Sequence, residues 1–438
     1  MLSFSVPFLI SCFLQTFYGL ADLLITGRFN GADCITAISV GSQVMHMVTV
    51  VAIGLASGSM VCIGRCVGAK DAAGASRYIG NSVLFFSVFS VILTALLLLL
   101  TDPILKILSV PPESLTQTRS YLTICFAGIP FITAYNVLSS VFRGLGDTRR
   151  PLIFVGIAGV LNVALDLLLI GRFRLGAAGA AAATLTSQAV SVAIAALAVR
   201  RMQTGVSLRK ADLRPQKHEI GTILGVGVPI AIQEGLIQIS FLAITAIANR
   251  RGVEAAAAVG VVEKIIGFLF LVPSSMLSTV CAFASQNCGA GEHARSRQSL
   301  RYGIRICIGY GVVCALVCNL FAPQILSLFA KDSPAVVEMG AQYLRAYALD
   351  SILACVHFCF SGFFSAYGKS NYSFVHNMIS ALLVRIPASY FASVRFPHTL
   401  YPMGLAAPLG SLVSIVICVV LYAGVRGVRP WQDVRRDP

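Results

Sequence analysis

Two aspartates stand inside long apolar stretches, Asp22 fifteen residues beyond Pro7 and Asp166 fifteen beyond Pro151. An ionisable side chain at bilayer depth costs about 2.5–3.5 kcal/mol on insertion scales, so a chain that keeps one there points to a function. At 1.5 Å per residue, two helices entering from the same side bring both carboxylates to a similar depth, in the outer half. Asn162 precedes Asp166 by four residues and shares its helix face. Thr184, about a third of the way down the next apolar stretch, falls at the same level. Two carboxylates, an amide and a hydroxyl at one level supply oxygen ligands for Na⁺, with Asp22, Asn162 and Asp166 as the metal-binding candidates. Alternatively, two crowded carboxylates hold one proton between them. The structural alternative is that each aspartate bonds neighbouring backbone or caps a helix end near the outer interface.

The second half of the chain carries a different set of charges at depth: Glu234, Glu263, Lys264, Asp350, His357 and Arg385. Glu234 lies about halfway along its apolar stretch, where it either touches a cationic substrate or pairs with Lys264 or Arg385. Glu263 and Lys264 are adjacent and point to different helix faces. His357 reads as a helix-packing histidine rather than a proton relay. Gly176-Ala177-Ala178-Gly179 and Arg143-Gly144-Leu145-Gly146 lack the strand–helix setting and the Lys-Ser/Thr ending of a phosphate loop. Small residues there permit close helix contact instead. The 13 cysteines show no metal spacing, and pairs such as Cys314/Cys318 and Cys355/Cys359 read as apolar filler on one helix face. No His/Glu metal motif and no protease signature is present, so the chain is expected to be no enzyme and to use no cofactor beyond a coupling ion.

The elements that position these residues follow from composition. The 438 residues are 57% hydrophobic and 12% charged, against about 25% charged in soluble domains. A helix needs about 20 residues to cross the hydrocarbon, which places spans near 3–27, 34–63, 79–101, 119–142, 151–171, 176–199, 220–248, 255–285, 300–322, 339–366, 371–394 and 402–424. The expected fold is an all-α integral membrane protein of twelve transmembrane helices in two pseudo-symmetric six-helix lobes. Residues 1–199 form the N-terminal lobe, 200–219 a cytoplasmic linker and 220–438 the C-terminal lobe. Pro7, Pro130, Pro229, Pro273 and Pro387 are the expected kink points.

The formal charge of +15 does not indicate nucleic acid, because Lys and Arg sit in short loops and not on one basic face. With the N-terminus inside, the inner loops hold 21 Lys and Arg and the outer loops 10, the bias that keeps basic loops cytoplasmic. Both termini are then cytoplasmic, in the plasma (inner) membrane. Met1 leads into the first span, which reads as an uncleaved insertion signal. The expected surroundings are membrane lipid, around a monomer.

The halves repeat at an offset near 221. Gly31-Ala32-Asp33 answers Gly252-Val253-Glu254, and Gly68-Ala69-Lys70-Asp71 answers Gly289-Ala290-Gly291-Glu292. Asp102-Pro103 answers Ala322-Pro323, Pro7 answers Pro229, and Arg143-Gly144-Leu145-Gly146-Asp147-Thr148 answers Ser365-Ala366-Tyr367-Gly368-Lys369-Ser370. A period of six spans keeps both halves in one orientation, related by an axis along the membrane normal, with substrate sites between the repeats near the midplane. The acids do not repeat: Asp22 would answer near Ile244 and Asp166 near Ala388.

These landmarks resemble the multidrug and toxic compound extrusion (MATE) family over nearly the whole chain. The carriers are Pro7-Phe8-Leu9-Ile10 through Gln15, Tyr18, Asp22 and Gly27, then Arg143-Gly144-Leu145-Gly146-Asp147-Thr148, and Gln286-Asn287-Cys288-Gly289-Ala290-Gly291. The resemblance implies export of organic, often cationic small molecules driven by inward flow of H⁺ or Na⁺. It also implies that Asp22, Asn162, Asp166 and Thr184 form the cation-coupling site of the N-lobe, with Gln15 and Tyr18 facing the same region. Some members carry a Glu in the seventh helix and an Asp in the tenth. Here Glu234 lies closer to Pro229, and Asp350 farther from Tyr367-Gly368, than that pattern expects. Glu234 and Arg385 remain, with Gln15 and Tyr18, substrate-cavity candidates, and the cation site belongs to the first half. The alternative is a lipid-linked oligosaccharide flippase of the same superfamily. That function wants a cationic cavity, whereas only Lys264 and Arg385 are basic at depth and acids outnumber them.

Overall fold

The computed structural model describes residues 1–200, 210–330 and 333–425. In hydrocarbon every backbone N–H and C=O needs a partner within the protein, so a long apolar chain folds as helices. Twelve spans result. The first six are α1 (Leu2–Phe29), α2 (Ala32–Gly68), α3 (Ala72–Leu99), α4 (Pro112–Ala127, bent by 47° into Ile129–Gly144), α5 (Arg149–Asp166, continued by the π-helical Leu167–Arg172) and α6 (Gly176–Arg200). The second six are α7 (Lys217–Asn249), α8 (Val253–Leu269 and Leu271–Gly289), α9 (His293–Ser327), α10 (Pro334–Tyr347, bent by 43° into Asp350–Ala366), α11 (Ser370–Met378, the π-helical Ile379–Arg385, and Ile386–Arg395) and α12 (Tyr401–Gly404 and Ala406–Val425). Among the described residues there is no strand. Apolar side chains cover the outside, with Leu24 and Val160 each 75% exposed, as a lipid-facing surface requires. The protein is a multi-pass, all-α membrane protein.

Proline explains where three helices break. A proline lacks its N–H and frees the carbonyl four residues before it. Pro130 frees the Phe126 carbonyl, which accepts Thr94 Oγ1 at 3.2 Å. Pro273 frees the Leu269 carbonyl, which accepts the Tyr310 hydroxyl at 3.1 Å. Pro323 frees the Asn319 carbonyl, which accepts Arg345 Nε at 3.2 Å, and Phe321 just before it leaves helical geometry. Pro387 follows directly on the π-helical turn of α11. Pro7 and Pro229, also expected to kink, lie inside continuous helices. The bend of α10 at residues 348–349 has no proline. Removing the Tyr310 hydroxyl (Tyr310→Phe) should destabilise the protein by about 1 kcal/mol by leaving the Leu269 carbonyl unpaired. Thermal unfolding in detergent against the parent checks this.

The chain divides into two compact units, Leu2–Ala231 and Ile232–Pro438. The border falls inside α7 rather than at the expected 200–219 linker, of which residues 201–209 lie outside the described set. The reason is a close approach between α2 and the start of α7. A Cβ at Gly54 would stand 2.7 Å from Ala231 Cα, and one at Gly58 would overlap the Ile223 carbonyl. Within the first unit α1 packs on α5 and α5 on α6. Within the second, α10 packs on both α8 and α9, and the π-helical turn of α11 packs on α12.

The repeat is written into the backbone as well. Asp71 N–H bonds the Cys66 carbonyl at 2.9 Å, and Glu292 N–H bonds the Asn287 carbonyl at 2.8 Å. Asp147 N–H bonds the Phe142 carbonyl at 2.8 Å, and Lys369 N–H bonds the Phe364 carbonyl at 2.9 Å. Each bond closes a helix end around a residue with positive φ: Lys70 (57°), Gly291 (76°), Gly146 (92°) and Gly368 (69°).

Candidate functional site: a carboxylate pair between α1, α5 and α6

Three helices of the first unit each contribute two polar side chains four residues apart, hence on one face. They are Tyr18 and Asp22 on α1, Asn162 and Asp166 on α5, and Thr184 and Gln188 on α6. The signature between α4 and α5 docks these helices. Asp147 Oδ1 accepts the Arg149 and Arg150 N–H groups at 2.9 and 3.2 Å, a turn that opens α5. Thr148 Oγ1 donates to the Phe4 carbonyl at 2.9 Å, tying the start of α1 to the start of α5. Arg143 lies over the Phe8 ring at 4.8 Å, a cation–π contact on the next turn of α1. The two helices thus leave one common point, and their aspartates meet farther along.

At that level the carboxyl groups of Asp22 and Asp166 face one another, and Asn162 and Thr184 border Asp22. Asn162 Nδ2 donates to Thr184 Oγ1 at 3.4 Å, and Gln188 Nε2 donates to the Tyr18 hydroxyl at 3.4 Å. Asp22 is 7% exposed, Asn162 1% and Asp166 0%. Among the described residues no Lys, Arg or His nitrogen lies within 4 Å of either carboxylate. Both Asp166 oxygens, Asp22 Oδ1 and Asn162 Oδ1 lack a hydrogen-bond donor. Buried carboxylates are ordinarily paired or bind a metal. Donor-free carboxylate and amide oxygens beside a hydroxyl are the ligand type of hard cations, and the same pair suits a shared proton. No group of three His, Cys, Asp or Glu side chains suited to a metal occurs among the described residues, so a cation here would also need the neutral oxygens of Asn162 and Thr184.

The remaining candidates divide between the units. Gln15, four residues from Gly19 on α1, reaches Tyr135 of α4. Glu234 and Arg385 belong to the second unit. Glu234 is half-buried and, among the described residues, pairs with neither Lys264 nor Arg385. Lys264, expected among the buried charges, is exposed. His357 is buried, with Nε2 at 3.2 Å from the Ser411 hydroxyl. Gln188 and Tyr135 were not among the sequence-based candidates. The signal for Gln188 was its place four residues beyond Thr184. The Cys355 thiol donates to the Cys307 carbonyl at 3.0 Å across α9 and α10, a polar contact that apolar filler does not make.

Comparison with known proteins meets the same architecture. The MatE family profile matches residues 7–168 and again residues 229–391. The chain belongs to this family. The two matched stretches start 222 residues apart, the period read from the sequence. Among curated relatives of this MATE-family chain, "Probable multidrug resistance protein YoeA" of Bacillus subtilis is 30% identical over 75% of the chain and 73% of the relative. The "FAD transporter" of Shewanella oneidensis is 25% identical over 96% of the chain and 93% of the relative. An outward-facing multidrug resistance MATE transporter superposes with a TM-score of 0.90 at 23% identity, covering 97% of this chain and 94% of that one, which shows the shared twelve-helix fold. Of these three, two carry multidrug resistance in their names and two are named transporters.

Proposed function

We propose that the chain exports organic, cationic drug-like compounds by antiport with H⁺ or Na⁺, through alternating access, and that Asp22, Asn162, Asp166 and Thr184 are the coupling site. The observation that carries this reading is the buried pair of facing carboxylates without a basic neighbour. Two negative charges this close repel in a medium of low dielectric, and one bound cation removes that repulsion. A cation entering from outside changes how α1, α5 and α6 pack, which weakens substrate binding and lets the substrate leave outward. The coupling works only because cation and substrate prefer different states. Tyr18 and Gln15, on the same helix as Asp22, are the substrate-side contacts, and Glu234 contributes a further acid. The basic loops set both termini in the cytoplasm of the plasma membrane.

The test is efflux of a cationic dye in inverted membrane vesicles, driven first by a pH gradient and then by a Na⁺ gradient. Dye movement coupled to one of the two is expected. Dye movement indifferent to both gradients removes the antiport reading.

A further inference from the structure

The second unit builds a charged cluster around Arg385. In the repeat, Asp166 answers a position within three residues of Arg385. Both residues border a π-helical turn: Asp166 immediately precedes Leu167–Arg172, and Arg385 closes Ile379–Arg385. Such turns recur at functional sites. The first unit therefore carries a carboxylate, and the second a guanidinium, at nearly the same place in corresponding helices.

The guanidinium is held from several sides. It stacks over the Phe241 ring at 4.7 Å and the Tyr347 ring at 5.2 Å, and Nη2 donates to the Tyr347 hydroxyl. Its charge acts on two carboxylates, Glu263 of α8 and Asp350 of α10. Glu263 accepts Thr245 Oγ1 at 3.2 Å on each oxygen. Asp350 is 3% exposed and lies against Ser411. Among the described residues neither carboxylate comes within 4 Å of Arg385. Asp350 Oδ1 and Arg385 Nε both lack a hydrogen-bond partner. Glu263 and Asp350 thus neighbour Arg385 from two helices, and neither pairs with it directly.

We propose that Arg385 is a resident counter-cation, and that the oxygens of Glu263, Asp350 and Thr245 around it form a latent monovalent-cation site. The tethered guanidinium neutralises there what a mobile cation neutralises at Asp22 and Asp166, a comparison that rests on the coupling site proposed above. A tethered charge cannot leave, so the second half requires no ion and coupling stays in the first half. Loss of the guanidinium leaves the half-buried Glu263 beside Thr245 and the buried Asp350 beside Ser411 without a cation, and a mobile cation replaces it.

The experiment measures saturable ²²Na⁺ binding to the purified full-length protein in a background carrying Asp22→Asn and Asp166→Asn. Comparison of wild type with that background reads the first half by itself. Adding Arg385→Gln to the background should create about one bound Na⁺ per chain. Arg385→Lys, and Arg385→Gln combined with Asp350→Asn, should each lack it. A folded Arg385→Gln protein without saturable Na⁺ binding overturns the proposal. Where Arg385→Gln lowers the folded yield, Na⁺ in the purification buffer should restore it in a dose-dependent way that N-methylglucamine does not reproduce. Equal yields in the two buffers overturn the proposal as well.

Discussion

Asp22→Asn and Asp166→Asn should each abolish gradient-driven dye efflux in vesicles while the protein still reaches the membrane at parental levels. Asparagine keeps the size and the hydrogen-bonding capacity of aspartate and removes only the charge. A contact between a cation and a charged oxygen is worth about 1.5–3 kcal/mol, or about ten- to a hundredfold in affinity. Cation affinity should fall by that much in either variant. Folding should not suffer, because the wild-type pair is two buried like charges with no basic partner. Replacing buried charge by a neutral group of equal volume is often neutral or stabilising, so an unchanged or raised unfolding temperature should accompany the loss of transport. Thr184→Val removes only a neutral oxygen and should weaken coupling by about fivefold, in line with a neutral hydrogen bond of about 1 kcal/mol. Normal efflux from both aspartate variants would remove the site assignment. Lost efflux together with lost expression would mean that the carboxylates hold the fold and not the ion.

Gly58→Ala should destabilise the protein strongly, although helix propensity alone favours alanine by about 1 kcal/mol. The added methyl overlaps the Ile223 carbonyl where α2 and the start of α7 meet. Backbone cannot rotate aside as a side chain does, and overpacking a close contact costs about 1–3 kcal/mol. The sign is fixed by a second glycine. A Cβ on Gly156, in the middle of α5, meets nothing within 4 Å, so Gly156→Ala should be neutral or stabilising. Unfolding temperatures of the two variants, measured side by side in one detergent, check the pair. Two shifts of the same sign would show that the close contact between α2 and α7 does not govern stability.

Much of the carboxylate cluster proposed as the coupling site was legible in the chain because helical periodicity is local information. Asn162 and Asp166 announce a shared face by their spacing, and Asp22 announces its depth by its distance from Pro7. Gln188 and Tyr135 were harder. A polar residue in a membrane helix gains meaning only from what faces it on another helix, and spacing along one chain does not give that. The fold divides in the same way. Apolar length found all twelve spans, and Pro130 and Pro273 marked real breaks because a missing N–H is a property of the residue itself. The bend of α10 between Tyr347 and Asp350 has no such residue. The border inside α7 was hidden for a similar reason, since Gly54 and Gly58 matter only through Ala231 and Ile223. Proline at positions 7 and 229 gave the same local signal as at 130, yet those helices run on, so a removed N–H permits a break without requiring one.

The π-helical turns beside Asp166 and at Arg385 have a mechanical consequence. A π turn winds one more residue into the coil than an α turn does. Returning it to α geometry would swing everything beyond it by about 100°, with an axial shift of about 1.5 Å. For Leu167–Arg172 the far side is the C-terminal end of α5, while Asp166 stays fixed to the part anchored by Thr148 and Phe4. One residue of slack is therefore stored next to each charged group.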